Sequence, residues 1–294
     1  MAHSHVLLGA GDTSADLTIR RIGVADLKDA LRLGLDDFNA MPTHAMFLCL
    51  IYPVVGLLLA RIAFGYEVLP LLYPLVTGFA LIGPLAALGL YELSRRREAG
   101  EPTSVSHAFD VLRSSSIGGI VALGLLLLVM FAIWIAIANA LYVADFGYGS
   151  PASVMAFVRD VLTTSAGWHL IVAGNFIGFL FAAVVLTAST VSFPLLLDRD
   201  VGAAVALLTS IRAVKRNPGV MALWGLIVAA LLFAGSLPLF IGLTVVMPVL
   251  GHATWHLYRK LVVSEGSPRP IYRTEEKGKR SAADFPAVLF PWAK

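Results

Sequence analysis

One segment limits the possible folds of this chain more than any other. From Ile117 to Tyr142 there is no Asp, Glu, Lys, Arg or His, and the run includes Leu125-Leu126-Leu127-Leu128. A helix rises about 1.5 Å per residue, so roughly 20 apolar residues cross a bilayer core of about 30 Å. Further stretches meet the same test: Ala45 to Phe64, Leu69 to Tyr91 and Trp168 to Phe193. The apolar run from Val220 to Val262 is too long for one crossing, and Gly235-Ser236-Leu237-Pro238 supplies a turn signal within it. It divides into a fifth span, Gly219 to Leu237, and a sixth, Pro238 to Val262. The composition agrees: 58% of residues are hydrophobic and 14% charged, against about 25% charged in soluble domains. Disorder and a collagen-like chain are excluded, and the single Cys49, inside span one, excludes a disulfide scaffold.

The expected fold class is all-α: a polytopic membrane protein with six transmembrane helices. The expected organisation is a flexible tail over 1–19, a membrane domain over 20–263 and a flexible tail over 264–294. With an even number of spans, 20 of the 22 Lys and Arg fall on the side of the termini, leaving Arg61 and Arg159 opposite. The positive-inside rule then places both termini in the cytoplasm. Residues 1–18 lack a basic region followed by an apolar core, so span one is expected to serve as the insertion signal.

The segments on the basic side carry helical stripes. Val24, Leu27, Leu31, Leu35 and Phe38 share one face, with Pro42 ending that helix. Val105, Ala108, Phe109 and Leu112 follow a Thr103/Ser104 cap candidate, and Val201, Ala204, Val205, Leu208 and Ile211 lie near Asp200 as N-cap. Each amphipathic helix precedes two spans, so the chain reads as three copies of an internal repeat: surface helix, span, span. Prolines recur in the return spans at Pro70, Pro84, Pro194, Pro238 and Pro248, where each removes a hydrogen bond and kinks the helix. Pro151 opens a further short helix on the opposite side, with Val154, Phe157, Val158 and Val161 on one face.

Three stretches carry a family resemblance. They are Ile22-Gly23-Val24-Ala25-Asp26-Leu27 with its following helix, Ser192-Phe193-Pro194-Leu195-Leu196-Leu197-Asp198-Arg199-Asp200-Val201, and Ile211-Arg212 leading to Asn217-Pro218-Gly219. On these the chain resembles a bacterial integral-membrane family catalogued as domain of unknown function 2189, some members of which are loosely labelled cytochrome c oxidase-related. The resemblance implies a bacterial inner-membrane protein and brings no catalytic residues with it.

The middle of every span lacks ionisable groups, which argues against an energy-coupled carrier. Asn139, Asn175 and Thr187 either hydrogen-bond between helices or line a polar path. Gly174, Gly178 and Ala182 lie four apart and suit close helix packing or self-association. His252 and His256 share a helical face, with His44 and His107 at the same level and His169 at the other end, but nothing in the sequence makes them converge on zinc. Gly147-Tyr148-Gly149 and Asp145-Phe146-Gly147 echo filter and kinase strings without their contexts. No cofactor, metal site or nucleic-acid partner is expected, and no enzymatic activity; the partners are the lipid bilayer and other membrane proteins. The functional expectation is a scaffold or accessory subunit of a membrane complex, a respiratory one included, with a passive channel or small-solute transporter as the alternative.

Overall fold

The computed structural model describes residues 17–41, 69–79, 81, 83–149, 151–238 and 240–263. Span one with Cys49 and His44, and nearly all of both expected tails, lie outside the described residues. The rest is helical: α1 (Val24–Ala40), α2 (Leu72–Phe79), α3 (Gly83–Ala86), α4 (Leu88–Glu98), a 3-10 helix (Val105–Arg113), α5 (Ile117–Phe146), α6 (Val154–Thr163), α7 (Ser165–Ser189), α8 (Ser192–Asp198), α9 (Ala203–Arg216), α10 (Pro218–Ser236) and α11 (Leu243–Leu261). Two short strands, β1 (Thr18–Ile19) and β2 (Val262–Val263), pair antiparallel.

Among the described residues, three segments are long and apolar enough to cross a membrane: Ile117–Phe146, Ser165–Asp198 and Pro218–Ser236. They coincide with expected spans three, four and five. Expected span two is instead a chain of short pieces, a 3-10 turn (Leu69–Leu71) followed by α2, α3 and α4. Pro70, Pro74 and Pro84 fall in this stretch, each without the N–H that a continuous helix needs. Expected span six begins as a turn over 240–242 and becomes helical only from Leu243. Its second half carries His252, His256, Arg259 and Lys260, and it is not one of the three segments that meet the apolar length for a crossing. Twelve of the nineteen α11 residues are buried, which makes it a central element of the core.

Small residues set how closely the helices approach. A Cβ on Gly34 of α1 would lie 2.6 Å from the backbone nitrogen of Ala253 in α11, so the two helices cross almost in backbone contact. Farther along, Trp134 of α5 donates its indole N–H to the Pro74 carbonyl at 2.9 Å, and Phe181 of α7 tilts against it. That bond satisfies a carbonyl in the proline-broken stretch and ties α2 to α5.

The chain closes on itself. β1 pairs with β2, and Arg20 N–H donates to the Leu261 carbonyl at 2.8 Å. The buried Asn217, between α9 and α10, completes the seam. Its Oδ1 accepts from Ile22 N–H at 2.9 Å, while Nδ2 donates to the carbonyls of Arg20 and Ala213, each at 3.1 Å. Asn217→Ala removes these bonds and leaves buried backbone groups unpaired. It is expected to cost about 1–3 kcal/mol, read as a lower melting temperature in detergent with earlier proteolysis near residue 20.

The surface helices pack by a face that their hydrophobicity does not reveal. α1 buries Leu27, Ala30, Gly34 and Asp37, while Val24 and Leu35 are exposed. α9 buries Ala203, Val205, Ala206, Thr209, Ser210 and Ala213, with Leu208 exposed, and the 3-10 helix buries Ala108 and Val111, with Phe109 and Leu112 exposed. Counted from the N-caps Gly23, Gly202 and Ser104, positions four and seven residues on are buried in all three, and eleven on in α1 and α9. Two cap details also differ from expectation. Gly202, not Asp200, is the N-cap of α9, and Ser104 caps without a side-chain bond, its hydroxyl meeting Ser106 and His107. α1 and α9 end alike, each on a residue with similar non-helical angles before a proline: Met41 (φ −134°, ψ 43°) and Asn217 (φ −131°, ψ 49°).

Candidate functional site

The largest concentration of buried charge lies where α1, α4 and α11 meet at the basic end of the bundle. Asp37 is 3% exposed, and Ser94 and His252 are fully buried. Asp37 Oδ2 accepts from the Ser94 hydroxyl at 2.6 Å and from His256 Nε2 at 2.9 Å, and Oδ1 accepts from Arg97. A hydroxyl has one proton; with Ser94 giving it to the carboxylate, its oxygen accepts from His252 Nδ1 at 2.7 Å. Three elements far apart in sequence thus share one carboxylate. Ser, His and Asp here do not form a hydrolytic triad, in which the imidazole stands between acid and hydroxyl. Ser94 itself occupies the middle, and all three are buried.

Burial alone raises the Asp37 carboxyl, but the hydrogen bonds from His256 and Ser94 and the charges of both imidazoles outweigh it, so it titrates below the ordinary carboxylate value. Asp29, one helix face away, is held down to about 2 by hydrogen bonds from Lys260, at 2.6 Å, and Arg32. A carboxyl depressed on folding stabilises above its unfolded pKa, near 3.9, and loses that contribution as pH falls through the folded value. The protection of α1 amides, taken relative to the intrinsic exchange rate at each pH, is therefore expected to hold from about pH 7 to 5 and to fall near pH 3.

Two further ionic groups extend this floor. Glu92 is fully buried beneath Arg95, which holds it through two bonds of 2.8 Å, and Arg96, which also reaches Asp110 at 2.8 Å. On the other side Asp198 accepts from the Tyr258 hydroxyl at 2.7 Å and from Arg259 at 3.3 Å, and Glu98 accepts from Trp255 Nε1 and Arg259, each at 2.9 Å. The last turns of α11 therefore bind α1 through Asp29 and Asp37, α4 through Ser94 and Glu98, and α8 through Asp198.

The residues singled out from sequence scatter by comparison. Asn175 is exposed on α7, accepts from the Tyr73 hydroxyl at 2.7 Å and donates to its own Ile171 carbonyl. Thr187 bonds back to Ala183, and Asn139 is exposed on α5. A Cβ on Gly174 meets nothing within 4 Å; one on Gly178 lies 3.1 Å from the Trp134 ring, and Ala182 is exposed. His252 and His256 do come together, on Asp37, but His107 turns to Ser104 and His169 pairs with Asp145 at the other end. Among the described residues no group of three or more His, Cys, Asp or Glu could hold a metal ion. Sequence reasoning missed Asp37, Glu92 and Asp198, because an acid on a helix next to basic residues looks solvated. One available signal was the four-residue spacing of His252 and His256, both facing whatever packs on α11.

Apolar helices of crossing length, with an ionic floor at one end, define a helical integral membrane protein. Residues 71–198 match the model of the family described as predicted integral membrane protein (DUF2189), the family to which the sequence motifs had pointed. The match spans α2 to α8 and includes Ser192–Asp198, though not the opening motif or Asn217-Pro218-Gly219. No curated protein and no solved structure matches the chain.

Proposed function

We propose that the chain is a non-enzymatic scaffold or accessory subunit of a larger membrane complex, with respiratory complexes among the candidates. In this reading it lies in a bacterial inner membrane as six spans in three repeated units, with both termini cytoplasmic. The common buried positions of the three surface helices support the repeat. So does the docking of each on a return segment: the 3-10 helix on α4, α9 on α8, and α1 on α11. The β1–β2 pair then takes the place of the covalent connector between the third unit and the first.

The observation that carries the scaffold reading is how the polar side chains of the apolar helices are satisfied. Thr187, Ser189, Thr190, Ser192, Ser236 and Thr254 each donate to the carbonyl four residues earlier in the chain. Groups engaged this way brace their own helices and offer a solute little, while the core between helices holds Ile120, Leu123, Leu127, Trp134 and Trp224. Mild-detergent extraction across several growth conditions, followed by native electrophoresis and mass spectrometry, is expected to recover a larger assembly. Recovery of the lone chain throughout overturns the scaffold, and solute leakage from liposomes containing the purified protein replaces it with the passive channel. Reporter fusions between Arg97 and Arg113 are expected to read cytoplasmic, and a periplasmic signal overturns the topology.

A further inference from the structure

The basic side chains at this end fall into two groups. Arg32, Arg96, Arg97, Arg259 and Lys260 each lie on a carboxylate. No acid among the described residues lies within ion-pair reach of Arg20, Arg21, Lys215 or Arg216, and all four are exposed. The two chain segments that carry them meet at Asn217. Asn217 holds the Arg20 carbonyl and the Ile22 N–H, while Lys215 and Arg216 are the two residues before it. Asp26, the nearest acid to Arg21 among the described residues, is engaged by Gly23 N–H at 2.8 Å.

The negative end of the α9 dipole accounts for Lys215 and Arg216. It does not account for two more arginines brought from the far end of the chain. Like charges on two segments held together by neutral backbone bonds favour an anion between them, an effect that is screened beyond a Debye length of about 8 Å. The depth of the cluster narrows the choice of anion. α9 passes into the membrane-crossing α10 through Asn217 alone, so the charges sit at the bilayer boundary. One turn or two back on α9, Leu208 is 49% exposed, an apolar contact beside the charges.

From this placement we infer that Arg20, Arg21, Lys215 and Arg216 form a binding site for the headgroup of an anionic phospholipid, seated at the seam where the chain closes. The phosphodiester lies among the four cations, and the acyl chains run along the outer faces of α9 and α10. Each base near a charged bilayer surface contributes about five-fold in affinity.

The test uses the full chain in nanodiscs of equal phosphatidylcholine and phosphatidylglycerol, with native mass spectrometry counting the lipids retained on release. Preferential retention of phosphatidylglycerol is expected. It should fall about 25-fold in Lys215→Gln/Arg216→Gln and similarly in Arg20→Gln/Arg21→Gln, while Arg32→Gln, whose arginine is paired with Asp29, leaves it unchanged. Equal retention of both lipids, unchanged retention in the double variants, or displacement by millimolar inorganic phosphate overturns the site. If one double variant melts below the wild type, the other carries the test, and its retention alone decides.

Discussion

Asp37→Ala is expected to cost about 3–5 kcal/mol, because it leaves His256, Arg97 and the Ser94–His252 pair buried or half-buried without their carboxylate. For a chain of this size that corresponds to a melting temperature lower by roughly ten degrees, followed by near-ultraviolet circular dichroism in mild detergent. Asp37→Asn keeps the shape and one acceptor, so a smaller loss is expected. If Asp37→Ala melts like the wild type, α1 is not held to α11 in the way described.

Gly34→Val should be comparably damaging for a steric reason. The atoms its Cβ would meet are the N, Cα and Cβ of Ala253, at 2.6–2.8 Å. Backbone does not swing aside as a long side chain can, so α1 and α11 must part and their ionic contacts with them. A loss of about 3 kcal/mol is expected, at the upper end of overpacking costs. Gly174→Val is the control: nothing lies within 4 Å of its Cβ, so the melt should stay within about 0.5 kcal/mol of the wild type. Equal behaviour of the two variants contradicts the close crossing.

These two residues also show how far the sequence could be read. Apolar length placed α5, α7 and α10 well, because hydropathy reports the solvent that a helix must face. It said less about which face of a surface helix turns inward. On α1 the stripe Val24, Leu27, Leu31, Leu35 and Phe38 is the hydrophobic one, yet the buried face is Leu27, Ala30, Gly34 and Asp37. Next to a membrane a bulky apolar side chain has no strong reason to prefer protein over lipid, whereas a small one lets backbones meet. Nothing in the sequence marks Asp37 as buried, because its partners, Ser94, Arg97, His252 and His256, are distant in sequence and share no motif with it. The breaks around α2 and α3 were half legible: the prolines were visible, but their effect on span continuity was not.

The pairing of β1 with β2 also bears on how the molecule is made. α1 leaves the ribosome about 220 residues before its destination, α11. At roughly 5–20 residues per second, some 10–45 s separate the two. Throughout that interval Gly34 has no Ala253 to cross and Asp37 has only its α4 partners, Ser94 and Arg97. A nascent chain stopped after Ser236 never acquires the contacts with α11, so the earlier helix waits for the later one to complete its packing.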